Sequence, residues 1–363
     1  MIGKFPAIKT AEARTIATEL LGQIGRGIDP VVQKKREKEK AKPDITLRKA
    51  LESYKADKIL AGQLKERTAK SKYGYDFDLY AGELLDLPLT QITYERIKSL
   101  VRTLLEEKPR HTSIQIFLRG LSAVLSYANS EFFQDSLFPT KKNPATLSQK
   151  IVRRSEPRTR VLSRNELKAL FGYLYARSSF SIPAKLSSTG DYFLFTLLTG
   201  CRRMEAAPLK WSNIKYLEPN IVRVRFEKTK TEPFRDIFFS HPFLTKLLEK
   251  RRESGQEYVF PGPGRSGHIA EPKNLVQRFL KENTEIPSFS IHDLRRTFVT
   301  YGLTAGNTEA VDAIIGHKSQ TVTGKHYAHF TDDQKSEVLN AIIGVILEAC
   351  GYPLSREKEL LLS

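Results

Sequence analysis

Residues 290–330 read SIHDLRRTFVTYGLTAGNTEAVDAIIGHKSQTVTGKHYAHF and hold much of the chain's scarce imidazole. Of seven histidines, five fall after residue 267. His292 precedes Arg295 by three residues, and in a helix that spacing puts both side chains on one face, aimed at one spot. Gly316 closes an apolar stretch that starts near Asn307 and Thr308, as a helix C′ glycine does, so His317 is expected just beyond a helix end. The trio His317, His326 and His329 raises a metal site as one option. It lacks a supporting cluster of acids or cysteines at ligand spacing, so no metal and no cofactor is expected. Tyr327 is one of 14 tyrosines and by itself would read as structural.

Upstream, Ser163-Arg-Asn-Glu166 has the form of a capping box ahead of the apolar Leu167, Leu170 and Phe171, which opens a helical region at about residue 161. Within it, IVRVRF (221–226) alternates Val222, Val224 and Phe226 with Arg223 and Arg225. RDIFF (235–239) follows after Pro233, and the two runs predict a β-hairpin. Further upstream the pattern is helical from Thr46 to about Phe138. Leu47, Ala50, Leu51 and Tyr54 form one stripe. Ile97, Leu100, Val101, Leu104 and Leu105 form a second, and Ile114, Phe117, Leu118, Leu121, Val124, Leu125 and Ala128 the clearest. The expected fold is therefore mostly α with a small β-hairpin or sheet (α+β), divided into a helical domain at 45–138 and a mixed domain at 161–335. Residues 139–160 are basic, proline-containing and without apolar period, which reads as an interdomain linker. Residues 31–44 read as a charged linker, residues 1–30 as one amphipathic helix unable to form a domain alone, and residues 336–363 as a C-terminal tail with apolar spots for docking on a neighbouring protomer.

The chain has 363 residues, enough for two or three domains at roughly 150 residues each. It carries 59 Lys and Arg against 41 Asp and Glu, net +18. Residues 1–160 hold 31 basic and 19 acidic residues, net +12, and residues 161–363 hold 28 and 22, net +6. That excess favours a long polyanion as partner, because each neutralised phosphate releases condensed counterions. No apolar run approaches the roughly 20 residues of a membrane span, and the N-terminus lacks a signal-peptide core. Two cysteines, Cys201 and Cys350, are too few for a disulfide framework. A cytoplasmic, membrane-free protein is the expectation.

Four local patterns in the second domain share one chemical theme: Thr199-Gly-Cys-Arg-Arg-Met-Glu205, Glu227-Lys-Thr-Lys-Thr231, His292-Asp-Leu-Arg295, and Ile315-Gly-His317 with Tyr327 ten residues on. In this order, and over roughly residues 45–335, they resemble the signature of the tyrosine recombinases, the phage-integrase family. Cleaving a phosphodiester without a metal needs fixed cations at the non-bridging oxygens, and the planar, permanently charged fork of arginine suits that task. Arg202 and Arg295 fit, each beside a rival, Arg203 and Arg296. The family spacings TGxR and HxxR favour the first of each pair, and Glu205, three residues after Arg202, could orient its guanidinium.

The resemblance further implies that Tyr327 is the nucleophile, forming a 3′-phosphotyrosine. A phenol of pKa about 10 needs cations or a base nearby to react at neutral pH. It implies His292 as a phosphate ligand and possible general base, His317 as a donor to phosphate, and a hairpin lysine as the acid that protonates the leaving 5′-oxygen. Lys230 and Lys228 both remain candidates for that acid, with Lys230 favoured. Here the chain departs from the family pattern, having Glu232-Pro233 where a turn glycine is usual. By the same resemblance, residues 45–138 are a core-DNA-binding domain that clamps double-stranded DNA with the catalytic domain. A homotetramer would exchange strands, with accessory DNA-bending and directionality proteins as further partners. Residues 3–30 are similar to the closing half of the arm-binding domain in integrases of satellite phages and genomic islands, so 1–30 is expected to be a remnant of it. A type IB topoisomerase and a catalytically inactive DNA-binding relative are the alternative functions.

Overall fold

The structure, a computed structural model, describes residues 9–27, 29, 44–107, 110–138, 142–153, 156, 159–217, 220–227, 234–270, 272–305, 308–316 and 330–353. Two compact units divide the chain, 1–157 and 158–363.

In the first unit, helix α1 (Thr10–Gly25) buries no residue, and Leu21 and Ile24 are exposed. The bundle proper comprises α2 (Leu47–Leu60), α3 (Glu66–Lys70), α4 (Asp76–Tyr80), α5 (Tyr94–Glu107) and α6 (His111–Phe133). Thr46 caps α2 by accepting from the Lys49 amide, and the stripe Leu47, Ala50, Leu51 and Tyr54 is buried. All seven apolar residues expected on α6 are fully buried, in one core with Ile97 and Val101 of α5. Leu100, Leu104 and Leu105 are partly buried against it.

The stretch 139–160 differs from a bare tether. Pro144–Ser148 forms α7, whose N-cap Asn143 accepts from the Ala145 amide. Ala145 and Val152 are buried in the core of the first unit, and Gln115 donates to the Val152 carbonyl at 3.1 Å. A single five-residue turn has too little length to show a period of 3.6, so its two core contacts leave no pattern in sequence.

The second unit has a three-stranded antiparallel sheet in the order β1 (Ile214–Leu217), β2 (Ile221–Glu227), β3 (Phe234–Phe239). On β2, Val222, Val224 and Phe226 are buried, as their alternation requires. Eight helices surround it: α8 (Arg164–Tyr175), α9 (Ser188–Thr199), α10 (Arg203–Ala206), α11 (Pro242–Arg252), α12 (Lys273–Glu282), α13 (Ile291–Ala305), α14 (Thr308–Ile315) and α15 (Asp332–Ala349). These counts are of the described residues. Both hydrogen bonds of the Ser163–Glu166 capping box form at the start of α8. From Gly190 to Thr199 every residue of α9 is buried, which makes it the central helix of the unit.

Helix α15 corrects the reading of residues 336–363 as a docking tail. Leu339, Ile342, Ile343, Ile346 and Leu347 are fully buried in the core of their own unit. Their spacing is that of a core-facing stripe, and α13 and β3 of the same unit supply the surface that covers it. Residues 354–363 lie outside the described residues.

Candidate active site

The site is built around one buried carboxylate. Glu205, on the four-residue helix α10, receives three donors. Arg202, the N-cap of that helix, donates from Nη1 to Oε1 at 2.7 Å and from its backbone amide to Oε2 at 2.9 Å. Arg235 of β3 donates from Nη2 to the same Oε2 at 2.6 Å. Burial would push the Glu205 carboxyl up, but Arg235 and then Arg202 outweigh it and hold the group below the ordinary carboxylate range. The guanidinium of Arg202 is thus fixed on one side, while its side chain keeps 25% of its surface exposed.

Arg295 approaches from α13. Its Nη1 donates to the Gly200 carbonyl at 2.7 Å and its Nη2 to the Ile315 carbonyl at 2.8 Å, which ties the end of α9 to the end of α14. The close approach of α13 depends on Gly200. That residue has φ +59, and a Cβ on it would lie 2.3 Å from Cδ1 of Phe298, one turn after Arg295. Burial first, then the charges of Arg202 and Arg235, lower the Arg295 pKa to about 10, so it remains a cation at neutral pH. The same two arginines that perturb it are those on Glu205, so three guanidiniums share one electrostatic neighbourhood.

His292 lies one turn before Arg295 on α13, as the spacing predicts, and is exposed. Burial, Arg296, Arg295 and, more weakly, Arg202 lower its pKa against the opposing pull of Asp293, which makes the ring neutral at pH 7. It borders an open cleft with Arg203, Lys273, Gln277, Phe289 and Ser290. The two adjacent arginines of α13 differ in their contacts: Arg295 is turned inward, whereas Arg296 pairs with Asp293. Asp293 also accepts from the Ser290 amide at 2.7 Å and hydroxyl at 2.8 Å at the helix start.

Of the expected site residues, Arg202, Arg295 and His292 are brought together with Glu205. Tyr327, His317, Lys230 and Lys228 lie outside the described residues, as do His326 and His329. The flanks of two of these segments are described: Glu227 pairs with Phe234 at the mouth of the hairpin that carries both lysines, and Gly316, at φ +68, ends α14 immediately before His317. Among the described residues no group of three His, Cys, Asp or Glu side chains is placed to hold a metal ion. Also among them, no helix is long and apolar enough to cross a membrane.

Arg235 was not anticipated. Its signal was available: in RDIFF it stands in phase with Ile237 and Phe239, so an arginine occupied the buried face of a strand.

Residues 160–334, which contain all of these groups, match the phage integrase family. The match lies wholly within the second unit, which therefore carries a phage-integrase domain. Prophage integrase IntF of Escherichia coli (strain K12) is 28% identical over 362 residues, covering 90% of this chain and 74% of that protein. Among solved structures of similar fold is a λ integrase (75–356) dimer bound to a COC′ core site. It has TM-score 0.57 and 19% identity, and covers 79% of this chain and 99% of that one. A λ integrase tetramer bound to a Holliday junction has TM-score 0.58 and 18% identity, covering 86% and 89%. The Tn1549 transposon integrase (82–397) in complex with circular intermediate DNA has TM-score 0.58 and 16% identity, covering 80% and 97%. The domain match and the relative of similar sequence support a tyrosine recombinase, and the solved structures share its α+β fold.

Proposed function

We propose that this integrase breaks and rejoins double-stranded DNA at specific sites through a 3′-phosphotyrosine on Tyr327, integrating or excising a mobile element. The observation that carries the reading is the convergence of Arg202, on a turn oriented by Glu205, with Arg295 and His292 on one face of α13. A pentacoordinate phosphorus carries added charge on its non-bridging oxygens, and two fixed guanidiniums stabilise that charge without reorganising during reaction. Arg202 and Arg295 bind the scissile phosphate. His292, neutral at pH 7, can accept the phenolic proton or donate to a phosphate oxygen, and His317 adds a second imidazole. Lys230, or Lys228 if the hairpin register differs by two residues, protonates the leaving 5′-oxygen. The bond energy stays in the protein–DNA ester, so rejoining requires no nucleotide.

In this reading residues 45–138 bind the core site and 161–335 carry the chemistry. Four protomers hold two duplexes, accessory DNA-bending and directionality proteins set the outcome, and the site of action is the bacterial cytoplasm. The relatives of similar fold that were crystallised as dimers and tetramers on DNA support the assembly, and the net charge of +18 supports the substrate. The test is covalent trapping on a nicked suicide substrate, in excess EDTA and without nucleotide. Wild-type protein is expected to form the adduct. Tyr327→Phe is expected to bind the core site and form none. A Tyr327→Phe adduct at wild-type yield, or a wild-type adduct abolished by chelation, contradicts the proposal.

A further inference from the structure

Arg235 places a cation on the core face of a strand. Arg235, Ile237 and Phe239 are all buried on β3. Phe226 stands opposite Arg235 on β2, with its ring centroid 4.7 Å from the guanidinium carbon. A buried cation is costly unless its donors meet acceptors, and both Nη atoms of Arg235 do, while its Nε has no partner among the described residues. Nη2 meets Glu205 Oε2 at 2.6 Å, and Nη1 meets the carbonyl of Ile314 in the last turn of α14. The aliphatic stem is also engaged, since a Cβ on Gly316 would lie 2.5 Å from Arg235 Cδ.

Two further contacts give this placement its meaning. Glu205 Oε2 is shared between Arg235 and the backbone amide of Arg202, while Oε1 holds the Arg202 guanidinium. The carbonyl next to that of Ile314, on Ile315, is held by Arg295. The last two carbonyls of α14 are therefore each held by a different arginine, an arrangement the helix dipole also favours.

We infer that Arg235 is a positioning residue for strand cleavage: without meeting the DNA, it locks Glu205, and through it Arg202, to the C-terminal end of α14. The inference rests on the recombinase reading given above. Arg235 is 7% exposed, with Nη1 on the Ile314 carbonyl and Nη2 on Glu205, so it acts on the site through that carboxylate. Its removal would leave Glu205 Oε2 with the Arg202 amide alone and would free one carbonyl of α14. The groups facing Glu205 are Arg202 and Cys201 from its own turn, Arg235 from β3 and Arg295 from α13. Arg235 is foremost among those that hold the carboxyl down, so its loss should let Glu205 take up a proton in a range where the wild type does not.

The experiment measures single-turnover adduct formation between pH 5.5 and 8.5, core-site affinity and thermal midpoint for wild type, Arg235→Gln, Arg235→Lys, Arg202→Ala and Arg202→Ala/Arg235→Gln. Loss of an outer partner of this kind typically costs about 10–100-fold in rate. Arg235→Gln is expected to fall in that range at pH 7.5, with affinity within about threefold and a steeper decline toward acid pH than wild type shows. Arg235→Lys, which can reach Glu205 but cannot span both partners, is expected about fivefold below wild type. In the Arg202→Ala background Arg235→Gln should add less than about threefold, because its target is already gone.

A folded Arg235→Gln protein that cleaves at the wild-type rate would overturn the inference, as would losses that simply multiply in the double variant. If the glutamine variant does not fold, Arg235→Lys decides, and cleavage at the wild-type rate overturns the inference. Wild-type protein that forms no adduct would instead overturn the recombinase reading on which it rests.

Discussion

Two of the arginine–carboxylate clusters in the second unit are built on a buried carboxylate and differ in exposure: one lies wholly in the core, and the other keeps an arginine partly exposed. Arg251 of α11 and Asp191 of α9 are both fully buried, 3.4 Å apart. Nε of Arg251 donates to the Val259 carbonyl at 3.0 Å and Nη1 also to the Ala184 carbonyl and the Ser187 hydroxyl, while Nη2 is buried with no partner among the described residues. Asp191 also takes the amide of Ser179 at 2.8 Å. Burial pushes the Asp191 carboxyl up and the Arg251 guanidinium down. This cluster is closed, and it ties α9 and α11 to the loop between α8 and α9. The Arg202–Glu205–Arg235 cluster has the same chemistry, yet its outermost guanidinium remains partly exposed and, among the described residues, is held from the Glu205 side alone. A fully buried charge such as Arg251 can only hold the fold, whereas Arg202, with a quarter of its side chain exposed, can still meet a phosphate.

Substitutions should separate the two clusters. Arg202→Ala is expected to lower the cleavage rate by about 10²–10³-fold, the range for loss of one fixed donor to a transition-state oxyanion, while the thermal midpoint moves little. Arg251→Met should do the reverse. Leaving Asp191 buried and unpaired costs about 3–5 kcal/mol in denaturant unfolding, with the rate per folded molecule unchanged. If Arg202→Ala unfolded the protein as readily as Arg251→Met, the distinction between the clusters would fail.

Gly200→Ala sharpens the comparison, because that glycine supplies the carbonyl that anchors Arg295 and lies against Phe298. Positive φ and overpacking together should remove about 2–5 kcal/mol of stability, with cleavage falling as the Arg295 anchor shifts. An unchanged unfolding midpoint would show that α13 can withdraw from α9 at no cost.

The smallest effect concerns His292. Its pKa is lowered, so the folded state holds the ring neutral, and its contribution is present above the unfolded value of about 6.5 and lost as pH falls toward the folded pKa. Cleavage by wild type should therefore decline by up to about tenfold on the acid side, as the ring charges beside Arg296, Arg295 and Arg202. The His292→Gln profile, though lower throughout, should lack that decline. Matching acid limbs would assign the titration to another group.

What the sequence revealed depended on how many residues carried each signal. The seven apolar positions of α6, the capping box at Ser163–Glu166 and the alternation on β2 each repeat a physical rule several times, and each predicted its element. The glycine at 316 was legible because a helix end demands positive φ there. Strand β1, with four residues, and helix α7, with five, are too short to establish a period. Helix α15 was visible as apolar, but sequence alone does not say whether a stripe meets its own unit or a neighbour. In the site, His292 and Arg295 were legible as a helical pair, and Arg202 and Glu205 as a turn. Arg235 was marked only by its phase with Ile237 and Phe239, against the usual outward facing of strand arginines, and what turns this one inward is a carboxylate 30 residues earlier.

The most direct test of the account is to locate the bond itself. Adduct trapped on a suicide substrate, digested with nuclease and trypsin, should yield the peptide 326–335 with a nucleotide 3′-phosphate esterified to Tyr327, as read by tandem mass spectrometry. A nucleotide on Tyr301 or any other residue, or covalent capture with peptide 326–335 wholly unmodified, would contradict the assignment of Tyr327 as the nucleophile served by Arg202, Arg295 and His292.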